Sequence, residues 1–553
     1  MANKSIVVYG GTLAGVAAAA KAAGHVDLDK TDITLIVPDP VDHNGNGVSL
    51  GGLATVGGQN YFDIRDAAKY TKGSFAWWYS QMGEYYSIQA LSDQLKADLT
   101  KKDFQDKNGQ NKVHILYGYD IKSIGWGAPA NITKVNLCQI EQDSDGRVIW
   151  GTKTCTVTGD YFIDASESGR LTRLSNFGGT TGRYDWPANK LDADEQGSNG
   201  KARQQATTLM FKIKGIKKEV LKEEDRNGNV IDGITMNTDV KGHWGANGGK
   251  EAYADTTKAI YKFNEAHRSE GIAIKPFNMA EDGENSNEWW INTLLIFNVD
   301  GRAYNRDKGT SVFPKDMRSD YKTVDDAYVL AKKVLEYPDF LPALRSFPKF
   351  ENVELVKDSK GKPVVAKILY LRETIHSAQS SSATARKNGS EDSNYAVHAR
   401  DFYMTDYDKR SYAKRIGLNF YWLDINAYKI EDLKDANGNY IWSEITPSVR
   451  KDVPFPQDED KRVRYPEKPA YIPYDAIATN FVYNLLIPGY AAGIASLGWA
   501  EARVLPNQCV LGDAAGVAAA YAATNNKQPL SFSNADIAKI QTTLTQSNAL
   551  LNK

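Results

Sequence analysis

Cysteine is nearly missing from this chain. Cys138, Cys155 and Cys509 are all that 553 residues carry. An odd count leaves at least one thiol unpaired, which excludes a disulfide-stapled scaffold and suits free thiols in a reducing compartment. A bridge between Cys138 and Cys155 across a hairpin is the pairing left open. No cysteine–histidine cluster has zinc spacing, so no metal is expected. Long apolar runs are missing too. The longest, residues 10–23 and 511–523, are rich in Ala and Gly and fall short of the ~20 residues that a membrane helix needs. Neither charge sign dominates: 67 Lys and Arg stand against 68 Asp and Glu, a net charge of −1. That removes the case for nucleic acid or an anionic membrane surface as a partner. Met1-Ala2-Asn3-Lys4 runs directly into a strand with no leader, so the cytoplasm is the default location. A secreted form with its leader removed would read the same.

What is present reads as an ordinary globular protein. Hydrophobic residues make up 42% and charged residues 24%, which excludes a mainly disordered chain. At roughly 150 residues per domain the length allows about three or four units. Residues 5–9 (SIVVY) form an apolar β run, a Gly-rich turn follows, residues 16–23 read as a helix, and 33–37 (ITLIV) as a second buried strand. This is the opening of a parallel α/β sheet. Further strands are expected at 113–117, 121–124 and 161–165, with a hairpin of 135–140 and 148–157 around Asp143-Ser144-Asp145-Gly146. The middle is polar, rich in aromatics and punctuated by Asn-Gly turns. Strands at 210–213 and 294–298 and an amphipathic helix at 323–335 are expected there. Residues 453–473, rich in Pro and charge, read as a linker. The end returns to the early texture, with a strand at 484–488 and an Ala/Gly helix at 512–523.

The opening turn carries the sharpest local signal. A dinucleotide pyrophosphate needs a tight strand-to-helix turn free of side chains, and it then sits on the helix N-terminus. Gly10 suits the tight turn and Gly15 the close helix–strand packing. Thr12 stands at the usual middle glycine. Val37 occupies the place of the usual acidic ribose ligand, and Asp39 is the nearest carboxylate.

Other segments join this one in a recognisable order. The chain starts GGTLAGVAAA, continues with Gly51-Gly52-Leu53, then Phe162-Ile163-Asp164-Ala165-Ser166-Glu167-Ser168-Gly169, then Arg372-Glu373 within YLRETIH. It closes with 484–489 (NLLIPG), Arg503, Pro506 and 511–520 (LGDAAGVAAA). In this order the chain resembles the FAD-dependent oxidoreductases of the glutathione-reductase-like superfamily, and more narrowly a bacterial FAD-dependent oxidoreductase group sometimes called xanthan-lyase-like. It departs from that group at Asp513, where Gln is usual, and at Asn426, which takes the His place of an Asp-x-His segment.

The resemblance implies an α/β fold: a Rossmann-type FAD-binding domain, discontinuous over 1–185 and 466–553, with an α+β cap inserted at 186–465. It implies that FAD lies on Gly10, Gly11, Thr12, Leu13, Ala14 and Gly15, with Asp39 at the ribose and Tyr119 and Ile121 flanking the adenine. Ala165, Ser166 and Gly169 would line the adenosine side, and Gly51 and Gly52 would let the backbone approach the flavin. Gly512, Asp513, Ala515, Gly516 and Val517 would place a helix N-terminus, with its partial positive charge, at the flavin ring. His43, just before the Gly-Gly loop, raises covalent flavin attachment, though a polar loop explains it. Candidate catalytic residues are Arg503, Arg372, His376, Asp424 and Asn426. Asp424 and Asn426 alternate and would share one strand face. Without a second Gly-rich βαβ unit, a dedicated NAD(P)H domain is not expected. The implied activity is oxidation of a small polar substrate, a sugar or another hydroxylated compound, by hydride transfer to flavin N5, with an unknown electron acceptor and unknown oligomeric state. The alternatives are a flavin-dependent reductase of a carbonyl or unsaturated substrate and a non-catalytic FAD- or ligand-binding protein.

Overall fold

A computed structural model describes residues 3–65, 67–70, 72–175, 179–182, 204–221, 233–377, 397, 401–402, 411–445, 466, 468–478 and 482–553. The domain boundaries expected near 185 and 465 lie outside the described residues. The first strand, β1 (Lys4–Tyr9), ends at Gly10, whose φ of 121° suits glycine. Helix α1 (Leu13–Gly24) begins at once. β2 (Thr31–Val37) follows and pairs parallel with β1, Val8 opposite Leu35. The longer of the intervening helices are α2 (Ser74–Met82) and α3 (Ile88–Leu99), after which β3 (Val113–Tyr117) joins β2. An antiparallel meander comes next: β4 (Tyr119–Gly127), β5 (Asn131–Gln142) and β6 (Val148–Thr158). β7 (Tyr161–Asp164) then returns to the other side of β1. The β5–β6 hairpin is the one expected. Its cysteines are not directly opposed, because Cys138 faces Thr154 and Cys155 faces Leu137, and all three thiols are free.

The middle of the chain builds a separate antiparallel sheet from β8 (Phe211–Lys214), β9 (Ile234–Thr238), β10 (Trp244–Gly248), β11 (Ile272–Glu281) and β12 (Glu288–Ile296), in the order 9-10-11-12-8. Glu354–Leu355 extends it beside β8. β12 is longer than the expected 294–298 and takes in Trp289 and Trp290, both buried. The pairing of β11 with β12 slips between Ile274 and Asn278, around Pro276, where a proline cannot donate to the ladder. The expected helix at 323–335 is Val324–Val334, capped by the Thr323 hydroxyl accepting from the Asp326 amide.

The chain then comes back to the first sheet. Of the expected linker, Ala470–Pro473 is a strand antiparallel to Arg415–Asn419, and 453–465 and 467 lie outside the described residues. β13 (Leu485–Leu486), shorter than expected, pairs parallel with β7. The parallel sheet therefore runs β13-β7-β1-β2-β3 and uses both ends of the chain. Parallel neighbours need crossovers that cover the sheet faces with helices. Here α1 and a long C-terminal helix, α4 (Leu505–Asn525), pack against each other on the sheet, and Ala and Gly on both let the backbones approach.

Candidate functional site

A cleft opens where β1 and β2 end. Its walls include Gly10, Gly11, Thr12, Asp39 and Ser166–Ser168 on the sheet side, and Tyr304, Arg306, Tyr328 and Lys367 from the middle of the chain. The turn is built tightly. A Cβ on Gly10 would lie 2.6 Å from the Ala165 carbonyl carbon, and one on Gly489 equally close. Thr12 caps α1: its hydroxyl accepts from the Gly15 amide at 3.1 Å and donates to the Ala165 carbonyl at 2.8 Å. The Gly51 amide donates to the Gly11 carbonyl at 2.7 Å, which lays the Gly51-Gly52 loop on the same turn. Asp164 holds the following loop by accepting from the amide and hydroxyl of both Ser166 and Thr172.

These residues fit a dinucleotide. Bare backbone and a helix N-terminus suit a pyrophosphate. The Asp39 Oδ2 is buried with no hydrogen-bond partner among the described residues, the group a ribose hydroxyl would satisfy. Burial, then the Asp120 charge, pushes Asp39 up to about 7. Burial, then Asp39, pushes Glu167 up to about 8, although its Oε1 accepts from the Leu53 amide at 2.9 Å. Behind the cleft, Tyr9 donates to Asp120 at 2.6 Å, and Arg170 grips Asp307 with two hydrogen bonds of 2.5 and 2.9 Å. Sequence reasoning missed this network, whose members are far apart in the chain.

Several expected positions sit elsewhere. Ile121 is packed in the core beside Val7 and Phe162. Tyr119 meets His43 edge-on at 6.2 Å, and Asp120, between Tyr119 and Ile121 in the sequence, lines the cleft. Strand alternation puts neighbours on opposite faces. His43 is turned to the Tyr117 carbonyl, at 3.2 Å. The expectation of a helix starting at Gly512 is corrected: α4 starts at Leu505, with Pro506 in its first turn, so Gly512 to Val517 are mid-helix. Gly512 and Gly516 are small because a Cβ there would overlap the carbonyl oxygens of Ala14 and Ala18 on α1. Ala515 and Val517 are buried in the core, and Asp513 accepts from the Ser74 amide at 2.9 Å and its hydroxyl at 2.5 Å, tying α2 to α4.

A second group of polar side chains gathers where the β11–β12 sheet meets the C-terminal part. Arg503, fully buried just before α4, donates to Tyr370 and, at 2.8 Å, to both the carbonyl and the carboxylate of Asp424; its Nε has no partner among the described residues. Arg372 donates to the Ala206 carbonyl at 2.8 Å and to Asn292 Oδ1 at 3.3 Å, over the Tyr370 ring. Its φ of 56° is unusual for arginine. Asn292 also donates to the Tyr61 hydroxyl at 3.1 Å. Lys275 is buried at the register slip in β11 and, among the described residues, donates to the main-chain carbonyls of Pro276 and Asn292, at 3.0 and 3.1 Å. Bulges re-aim side chains in this way.

The charges in this group act on one another. Burial pulls Arg372 and Arg503 down to about 10, so both remain charged near neutrality. Burial, then Arg372, pulls Lys275 down to about 7. Burial, then Asp424, pushes Asp63 up to about 6, and burial also raises Asp424 against the pull of Arg372 and Lys275. Tyr61, Asp63, Lys275, Asn292 and Tyr370 were not legible in the sequence, since isolated polar residues in strands and loops carry no motif. Two expected members have other partners beside this group. His376 is paired with Glu373 at 3.0 Å, and Asn426 lies outside any strand, its amide donating to Gln205 at 3.1 Å. Asp424 and Asn426 therefore do not share a strand face. Among the described residues no cluster of three His, Cys, Asp or Glu side chains has a metal-holding arrangement, and no helix is long and apolar enough to cross a membrane.

Residues 5–544 match the family described as FAD dependent oxidoreductase. The chain belongs to that family; it is an enzyme, and its cofactor is FAD. No curated protein matches. Among solved structures it is similar to the myxobacterial chondrochloren halogenase CndH, at 11% identity over 54% of this chain and 53% of that one, with a TM-score of 0.24. It is also similar to the p-nitrophenol 4-monooxygenase PnpA of Pseudomonas putida, at 8% identity over 53% and 58%, with a TM-score of 0.23. The chain spans slightly more than half the length of these structures.

Proposed function

We propose that this FAD-dependent oxidoreductase oxidises a small polar substrate at a hydroxyl-bearing carbon, within the polar group of Arg372, Arg503, Lys275, Asp63 and Asp424. FAD, when bound, supplies a hydride acceptor at flavin N5. Arg503 offers an unpartnered Nε to a substrate oxygen, and Arg372 adds a second fixed positive charge. Lys275 takes the hydroxyl proton. The observation that carries this reading is Lys275 itself: a buried lysine that donates to two main-chain carbonyls, with no carboxylate in hydrogen-bond reach among the described residues, and that burial pulls down to about 7, so that a large share is the free amine, a base, at neutral pH. Asp63 and Asp424 balance the two arginines and pass the proton outward. The Gly51-Gly52 loop runs on through Asp63, and the cleft-lining stretch 367–371 runs on into Arg372, so both chain segments link the cofactor cleft to this group. The middle of the chain acts as the cap.

The test is anaerobic bleaching of the FAD-loaded protein by a panel of sugars, polyols and hydroxy acids, followed in the visible flavin band. At least one compound is expected to bleach it, and Lys275→Met is expected to slow that step by about 10²- to 10⁴-fold. Equal rates in both proteins would remove Lys275 as the base. No bleaching by any hydroxylated compound, with reoxidation of the reduced enzyme by a carbonyl or unsaturated compound instead, would reverse the direction of the reaction.

A further inference from the structure

Arg306 has no role in the reaction just described. It lies in the short turn Asn305–Asp307, nearly three hundred residues after the β1–α1 turn, yet it lines the same cleft as Gly10, Gly11 and Thr12. Its side chain is 4% exposed. One terminal nitrogen, Nη2, is taken by Asp120. Nε and Nη1 are buried without any acceptor among the described residues. The guanidinium rests on the rings of Tyr304 and Trp150, 4.2 and 5.2 Å from their centroids. Those faces fix its plane but accept none of its in-plane hydrogens.

The surroundings hold the group still. Asp120 already accepts from the Tyr9 hydroxyl and the Ile121 amide, so it is pinned to β1 and β4. Asp307, the next residue, is clamped by Arg170. Arg306 is thus fixed both through its own Nη2 and through the turn that carries it. Leaving two buried guanidinium nitrogens unpaired is costly, and such groups call for an explanation. In the same cleft Asp39 keeps an unpartnered acceptor. A molecule that supplies both anionic or ether oxygens and hydroxyl donors satisfies both.

We propose that Arg306 binds the ADP half of FAD, donating Nε and Nη1 to its phosphate or ribose oxygens, so that the cofactor ties the middle of the chain to the parallel sheet. This concerns cofactor binding and does not depend on the substrate or on Lys275. The test uses the full chain freed of FAD and titrated calorimetrically with FAD and with ADP. Arg306→Met is expected to weaken both by on the order of 10- to 100-fold. Arg306→Lys keeps the charge facing Asp120 but loses the planar fork, and it is expected to fall between. A dissociation constant for FAD within twofold of the parent in both variants would overturn the proposal. So would a loss for FAD with none for ADP. Hydrogen exchange on the unmutated chain covers the case in which the variants fail to fold: FAD is expected to slow exchange across 304–307, and unchanged exchange there would overturn the proposal.

Discussion

Thr12 shows how a residue that breaks a glycine pattern can strengthen the same turn. Its hydroxyl caps α1 and also donates to the Ala165 carbonyl, two hydrogen bonds that a glycine lacks. Thr12→Val keeps the shape and removes both. It is expected to lower stability by about 1–2 kcal/mol, read as a shifted midpoint in urea. The buried carboxylates make a second claim at this scale. Asp39, Asp63 and Glu167 are held up at about 7, 6 and 8, so between pH 4 and about 7 these carboxyls bind more protons in the folded chain than in the unfolded one and outweigh the single proton that Lys275, lowered to about 7, gives up. Stability of the FAD-free protein should therefore fall as pH rises through that window. Thermal melts at pH 5 and pH 8 check the sign. Glu167→Gln, which cannot ionise, should flatten the slope, and an unchanged slope would show that Glu167 titrates normally.

At the scale of elements, the contact between α1 and α4 decides more than either helix alone. Gly512→Ala would gain up to about 1 kcal/mol of helix propensity. The added Cβ would meet the Ala14 carbonyl oxygen, which is backbone and cannot swing away. Overpacking of this kind costs about 1–3 kcal/mol, so a net loss is expected in chemical denaturation. Gly24→Ala is the control, because nothing lies within 4 Å of its added Cβ; it should be close to neutral. This contact also explains one misreading. Gly512 resembles the start of a helix in the sequence, but its reason for being small is a neighbour five hundred residues away. The slip in β11 at Pro276 was equally illegible, because strand register is a property of pairs, and with it went Lys275. Arg503 and Asp424 stood out in the sequence as separate candidates, and the fold places them 2.8 Å apart. Tyr61 and Asn292, which carry no motif, became visible only through their partners.

At the scale of the molecule, the parallel sheet was readable from its first strand-turn-helix-strand unit, since apolar runs and a Gly-rich turn are local signals. That the chain's last ninety residues complete the same sheet came from the order of distant motifs, not from any local pattern. The structure gives that arrangement a physical cost. β13 pairs with β7, and α4 covers α1, whose Ala-rich face is buried along almost its whole length. A chain ending at residue 465 would expose that face and leave β7 as an edge, a surface prone to aggregation. We expect such a fragment to be insoluble and unable to retain FAD when expressed alone. Coexpression with residues 466–553 as a separate chain should restore a soluble, yellow complex, because the interface between the two pieces is a core surface. Recovery of a soluble FAD-binding fragment without that second piece would show that the sheet can close without β13 and α4, and that the C-terminal part serves the substrate side alone.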